Sequence, residues 1–379
     1  MTGAPIVLTA GGTGGHVFPA VALAAELRRR GRPLVLVTDR RGAGYEERFP
    51  DTEIHAVTAG TPSGRGPLGR IVAIGEIAAG TWAARGLLKR IRPAAVVGFG
   101  GYPSLPAMLA ATRLGLPTML HEQNAVLGRV NRLLASRVAA IATSFAETAG
   151  IAAGERGKTS LTGNPVREAV AAVRELPYSA PQPGGPIRLL VLGGSQGARI
   201  LSEVIPAALI QLPPNVRQRI RLTQQCRPED LERVKTIYSD SGVSADLTTF
   251  IQDVPALLAS VHLCITRAGA STVAELALAG RPAILVPFAA ATDDHQTANA
   301  KSLVAAGGAW LMPEAKFNAA SLRQTLETLI DDGAALVEMA AAARQSGRPN
   351  AAGALADLVE RLAPADGANP AENSGRAAA

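Results

Sequence analysis

Residues 6–15 read Ile6-Val7-Leu8-Thr9-Ala10-Gly11-Gly12-Thr13-Gly14-Gly15, and residues 187–197 read Ile187-Arg188-Leu189-Leu190-Val191-Leu192-Gly193-Gly194-Ser195-Gln196-Gly197. Each is a short apolar run of strand length, closed by glycines that allow a tight turn into a following helix. Such a turn aims several free backbone N–H groups and the positive end of a helix dipole at one point, where a diphosphate binds. A single loop of this kind is ambiguous, since glycine also merely permits a turn. The same device at matching positions in two halves of the chain predicts two nucleotide-binding folds.

Outward from these two loops, candidate strands at 34–38, 94–97, 117–120, 139–142, 219–222, 247–250, 262–266 and 283–286 alternate with Ala-rich segments of helical period. This is the pattern of parallel sheets wrapped by helices, and predicts an α/β chain of two Rossmann-like domains facing across a cleft, with ligands at the carboxyl ends of the strands. At 379 residues the chain exceeds what one core usually fills. Gly163-Asn164-Pro165-Val166-Arg167 and the Pro/Gly-rich stretch 179–186 set the boundary, giving domains at 1–166 and 167–345. A C-terminal helix at 346–363 is expected to complete the first domain, and the aperiodic 364–379 to form a disordered tail.

Neither glycine loop is a G-x-G-x-x-G dinucleotide fingerprint or a G-x-x-x-x-G-K-[ST] P-loop. Cys226 and Cys264 form no C-x-x-C, so no disulfide framework or zinc site is predicted. The N-terminus carries no secretory pattern, and no run approaches the ~20 apolar residues that span a bilayer, so membrane contact is expected to be peripheral. The net charge of +7 calls for an anionic partner. Dispersed Arg and Lys with only 3% aromatic residues argue against nucleic acid, which needs stacking platforms.

Further polar groups fall at predicted strand ends: Gly98-Phe99-Gly100-Gly101-Tyr102, His121-Glu122-Gln123-Asn124 and Asp293-Asp294-His295-Gln296. Four polar side chains directly after Thr118-Met119-Leu120 suggest a substrate site. In Thr266-Arg267-Ala268-Gly269-Ala270-Ser271-Thr272-Val273-Ala274-Glu275, Thr272 and Glu275 have capping-box spacing, while the same carboxylate suits the two hydroxyls of a ribose.

Taken in order, residues 11–19, Gly100-Gly101-Tyr102, 121–124, 163–167, 193–199 and 267–275 resemble the MurG family, the N-acetylglucosaminyltransferases that convert lipid I to lipid II in cell-wall synthesis. The resemblance runs from residue 6 to about 360. It implies a GT-B fold, with UDP-N-acetylglucosamine held mainly by the second domain and the acceptor mainly by the first. It places Ser195 and Arg167 on the UDP phosphates, Ile251 on uracil, Ala270, Ser271, Thr272, Val273, Ala274 and Glu275 around ribose and phosphate, and Gln296 on sugar hydroxyls. Thr13, Gly14, Gly15 and Asn124 would line the donor sugar and the reaction centre, and Tyr102 lies in the acceptor loop. His295 stands where some members have a second glutamine, and Gln225-Cys226-Arg227 replaces a more usual Gln-Ser/Thr-Gly.

The implied reaction is a single inverting displacement. No Asp-x-Asp motif holds a metal and no cofactor is expected, so helix N-termini, Ser195 and Arg167 are expected to stabilise the leaving diphosphate. His16 is the expected base, because an imidazole titrates near neutrality, with Glu122 as the alternative. The acceptor, undecaprenyl-pyrophosphoryl-MurNAc-pentapeptide, sits in a bilayer. Residues 68–92 mix Leu68, Ile71, Val72, Ile74, Ile77 and Trp82 with Arg70, Arg85, Lys89 and Arg90, a pattern that lies on anionic membranes or forms an ordinary core helix with a basic end. The expected location is the cytoplasmic face of the inner membrane. Other GT-B enzymes, such as a diacylglycerol glycosyltransferase or a UDP-N-acetylglucosamine 2-epimerase, and a non-catalytic UDP-binding adaptor fit the same layout.

Overall fold

The computed structural model describes residues 3–12, 14–40, 45–62, 66–194 and 197–363. Thr13, Ser195 and the expected tail 364–379 therefore lie outside the described residues. The chain divides into two compact units, one built from residues 1–123, 127–165 and 350–379, the other from 124–126 and 166–349.

Among the described residues the first unit holds seven strands: β1 (Ile6–Thr9), β2 (Leu34–Thr38), β3 (Glu53–Ala56), β4 (Ala95–Gly98), β5 (Thr118–Glu122), β6 (Ala140–Thr143) and β7 (Thr159–Leu161). They pair in parallel in the order β3-β2-β1-β4-β5-β6-β7. Side chains alternate between the faces of a strand, and helices cover both faces here, so the central strands are apolar throughout. Leu8, Leu36 and Val97 point into one core with Leu23 and Leu27 of the helix Gly14–Arg29 and with Leu355 and Val359 of the C-terminal helix Ala351–Leu362. Val7, Val35 and Val96 point into the other, with Leu88 and Met108. Arg30 fastens the C-terminal helix through Asp357 at 2.6 Å and Glu360 at 2.7 Å.

The second unit repeats the plan with β8 (Ile187–Leu192), β9 (Ile220–Gln225), β10 (Ser244–Thr248), β11 (Leu263–Thr266), β12 (Ala283–Leu285) and β13 (Ala309–Leu311), all parallel in the order β10-β9-β8-β11-β12-β13. In each sheet the chain order reverses beside the first strand, between β1 and β4 and between β8 and β11. Successive helices leave to opposite faces at such a point, which opens a crevice beyond the carboxyl ends of the two strands. The glycine turns after β1 and β8 lie at these reversals.

Several expectations change. β5 runs on through His121 and Glu122, so two residues of the polar run belong to the strand rather than to a loop after it. β3, β7 and β13 have no counterpart among the predicted strands. The helix Pro67–Ile91 is, by length and composition alone, apolar enough to cross a membrane. Only one side of it is buried, through Ala73, Gly80, Thr81, Ala84, Leu87 and Leu88, while Leu68, Ile71, Val72, Ile74 and Trp82 are exposed. Cys226 and Cys264 are both free and buried, and burial pushes the Cys264 thiol up to about 12.

Candidate functional site

At the reversal of the first unit, the turn after β1 leads into the helix that begins Gly14-Gly15-His16. The turn after β4 leads into the helix Gly101–Arg113, whose second residue is the half-buried Tyr102. Gly101 adopts φ +71°, a left-handed conformation that side chains disfavour. A Cβ there would lie 3.2 Å from Cδ2 and 3.4 Å from Nε2 of His16, so the glycine keeps the space beside that nitrogen open.

His16 is held from its other nitrogen. Its Nδ1 lies 2.9 Å from Oε1 of Gln123, whose Nε2 lies 2.9 Å from Nδ1 of His121 and 3.0 Å from the main-chain oxygen of His121. Nε2 of His121 in turn meets the carbonyl of Gly163 at 3.1 Å. Burial pushes the His121 imidazole down to about 4, and the neighbouring His16 lowers it further. Glu122 is enclosed: its Oε2 accepts from the Gly128 N–H at 2.8 Å and from Nδ2 of Asn131 at 2.8 Å, bracing the start of the helix Arg129–Leu134. Sequence reasoning named Glu122 and passed over Gln123, although both stand in the same polar run.

In the second unit the helix Ala270–Ala279 follows β11 and presents its N-terminus at the reversal. Its N-cap is Gly269, so Thr272 is the third helical residue and no capping box forms with Glu275, contrary to the spacing argument. Glu275 instead faces Arg167, whose Nη2 and Nε both donate to Oε1, at 3.0 and 3.3 Å. Burial raises the Glu275 carboxyl above its ordinary range, and the adjacent guanidinium opposes that rise. The hydroxyls of Thr266 and Ser271 are buried and find no partner among the described residues. Ile251 is half-buried in the segment between β10 and the helix Val254–Ser260.

Gln296 accepts through Oε1 from the N–H of Ala268 at 3.2 Å and of Phe288 at 2.9 Å, tying the loop after β11 to the loop after β12. His295 donates from Nδ1 to the Thr292 carbonyl at 2.7 Å, a local bond. Asn299, unforeseen in the sequence, is wholly buried. It donates to Oδ1 of Asn124 at 3.1 Å and to the Ala268 carbonyl at 3.2 Å, and accepts from the Ala125 N–H at 2.8 Å. An asparagine inside a helix is a poor helix former, and that was its one sequence signal. Gln225 likewise clasps the turn after β8, accepting from the Gly193 N–H and donating to the Gly194 carbonyl. Arg70, Arg85, Lys89 and Arg90 are exposed on the helix Pro67–Ile91.

Comparison with known proteins adds three findings. Residues 6–143 match the glycosyltransferase family 28 N-terminal domain, and residues 188–355 match the C-terminal domain of that family. The UDP-N-acetylglucosamine–N-acetylmuramyl-(pentapeptide) pyrophosphoryl-undecaprenol N-acetylglucosamine transferase of Paramagnetospirillum magneticum is 56% identical, over 95% of this chain and 97% of its own length. The enzyme of the same name from Rhodospirillum centenum is 52% identical, over 95% of this chain and 94% of its own. Among solved structures, the MurG of Acinetobacter baumannii superposes with a TM-score of 0.77 at 32% identity, covering 95% of this chain and all of that one.

Proposed function

The chain belongs to the MurG family within glycosyltransferase family 28, and from that premise we propose how its own residues carry the reaction. It is a UDP-sugar hexosyltransferase that moves N-acetylglucosamine from UDP-N-acetylglucosamine to the muramoyl 4-hydroxyl of lipid I, forming lipid II. The bond from the acceptor oxygen to the anomeric carbon forms as the bond from that carbon to the β-phosphate oxygen breaks. UDP departs from the opposite face with the electron pair.

Two demands follow. Charge that builds on the departing diphosphate needs donors already in place, because dipoles fixed before the reaction cost no reorganisation during it. The N-terminus of the helix Ala270–Ala279 and the Arg167 guanidinium meet this demand, and Ser195 is assigned to the same phosphates. Glu275 receives the ribose hydroxyls on Oε2, since both bonds from Arg167 fall on Oε1. Gln296 and Asn124 contact the sugar, and Ile251 the uracil.

The acceptor hydroxyl must also lose its proton. His16 takes it at Nε2 and releases it to solvent afterwards. The observation that carries this assignment is the contrast between two neighbours: the His16 Nε2 opens onto the gap left by Gly101, whereas the Glu122 carboxylate is buried and braces Gly128 and Asn131 through Oε2.

We assign the exposed side of the helix Pro67–Ile91 to an anionic membrane surface. Leu68, Ile71, Ile74 and Trp82 supply apolar contact, and Arg85, Lys89 and Arg90 attraction to head groups. A cavity of about 370 Å³ lined by Ile74, Ile77, Trp82, Leu109, Arg85 and Arg113 lies along it. On this reading the enzyme is peripheral, on the leaflet that carries its acceptor. The direct test of the function is transfer of labelled N-acetylglucosamine from UDP to a lipid I analogue; release of free sugar or of N-acetylmannosamine without transfer would refute it.

A further inference from the structure

The atoms around Gln123 leave little freedom in where protons sit. A main-chain carbonyl only accepts, so the Gln123 amide atom 3.0 Å from the His121 oxygen must be its NH2 group, and the other amide atom, toward His16, must be the oxygen. The Gly163 carbonyl likewise only accepts, so Nε2 of His121 carries hydrogen, and Nδ1 of a neutral His121 accepts from Gln123. The depressed titration of His121 keeps it in that neutral form around neutrality. An amide oxygen facing Nδ1 of His16 accepts from an N–H there. In the uncharged ring the remaining lone pair then falls on Nε2, the nitrogen beside Gly101.

We propose that Gln123, braced by His121 and the Gly163 carbonyl, is a positioning residue that locks His16 in the Nδ1–H tautomer and so presents a bare Nε2 to the acceptor hydroxyl. Free imidazole favours the opposite tautomer, which would turn a donor toward the substrate. When Nε2 gains the proton, both ring nitrogens carry hydrogen and the positive charge strengthens the bond from Nδ1–H to Oε1 of Gln123. The device resembles a catalytic carboxylate behind a histidine in purpose, with a neutral amide in place of the charge.

The inference rests on His16 being the base, and the experiment separates the two. Nitrogen-15 spectra of the histidine-labelled full chain near neutral pH resolve up to five rings. The signals that vanish in His16→Gln are expected to show a protonated Nδ1 and an unprotonated Nε2; the reverse pattern overturns the proposal. Gln123→Met removes the acceptor at similar length. It is expected to lower kcat about ten- to a hundredfold, a fraction of the roughly hundred- to ten-thousandfold that proton transfer contributes, with KM for UDP-N-acetylglucosamine and calorimetric donor affinity changed by no more than about twofold. Wild-type kcat in Gln123→Met, with His16→Ala inactive, overturns the positioning role and leaves the base assignment standing. Near-normal turnover in His16→Ala removes the base assignment itself.

Discussion

Arg167 and Glu275, 108 positions apart, share a single oxygen: both guanidinium contacts converge on Oε1 of the carboxylate. Under the proposed function both residues help to hold UDP, and the guanidinium also sets the state of the carboxylate. Burial alone drives Glu275 toward protonation, and the guanidinium holds it back. Arg167→Ala therefore removes a phosphate donor and also weakens Glu275 as a ribose acceptor. UDP affinity should fall about ten- to a hundredfold, the 1.5–3 kcal/mol of a charged hydrogen bond. Arg167→Lys should restore only part, because an ammonium cannot reproduce the planar fork. Calorimetry with UDP decides it, and unchanged affinity in the alanine variant would exclude Arg167 from the phosphate site.

Asn299→Ala should damage stability and turnover together. It removes the acceptor of the buried Ala125 N–H and one contact to Oδ1 of Asn124. A loss of about 2–4 kcal/mol in urea unfolding is expected from unsatisfied buried groups and the space left. A variant as stable as wild type would show that the three bonds carry no weight.

Gly101→Ala puts a methyl group against the His16 ring and forces a left-handed backbone on alanine. The backbone cost is about 1–2 kcal/mol. A fall in kcat beyond what that instability explains, with donor affinity retained, is the expected kinetic result. Wild-type kcat would mean that the gap beside Nε2 is not where the acceptor enters.

Stability should decline on acidification between the two titration points of His121. Its imidazole titrates near 6.5 when exposed and is lowered to about 4 in the folded chain. Between those values the unfolded state binds more protons, so stability is full above pH 6.5 and drains away as the pH falls toward 4, at up to about 1.4 kcal/mol per unit. His262, lowered to about 4 by burial, acts in the same direction. His121→Gln removes one of the two contributions, and melting temperatures of the variant should depend less steeply on pH. Parallel curves for variant and wild type would contradict this.

Neutralising Arg85, Lys89 and Arg90 together should weaken binding to anionic vesicles by roughly 3 kcal/mol, at about 1 kcal/mol for each basic residue. Co-sedimentation with phosphatidylglycerol vesicles measures it, and solution activity on a short-chain acceptor should persist. Equal sedimentation of both proteins would place the membrane contact elsewhere.

The central strands were legible because burial on both faces leaves continuous apolar runs such as Ile187-Arg188-Leu189-Leu190-Val191-Leu192, with a single interruption. β3, β7 and β13 were not, for each closes an edge of its sheet and is covered on fewer sides: Glu53-Ile54-His55-Ala56 has no buried residue at all. The glycine turns announced themselves by composition. The contacts of Gln123 and Asn299 did not, because a buried amide becomes a positioning group only through partners that the fold supplies from distant strands and loops. Thr272 misled for a related reason: capping-box spacing is local, and the helix begins earlier, at Ala270.

The first unit draws Leu355, Ala356, Leu358 and Val359 from the far end of the chain into the core beside Leu8 and Leu23. During synthesis on the ribosome, the leading half emerges with that groove unfilled, each missing aliphatic side chain withholding about 1.5–3 kcal/mol. Its consolidation waits until Ala351–Leu362 have been made, so a nascent chain that stops before them leaves its oldest segment the least settled.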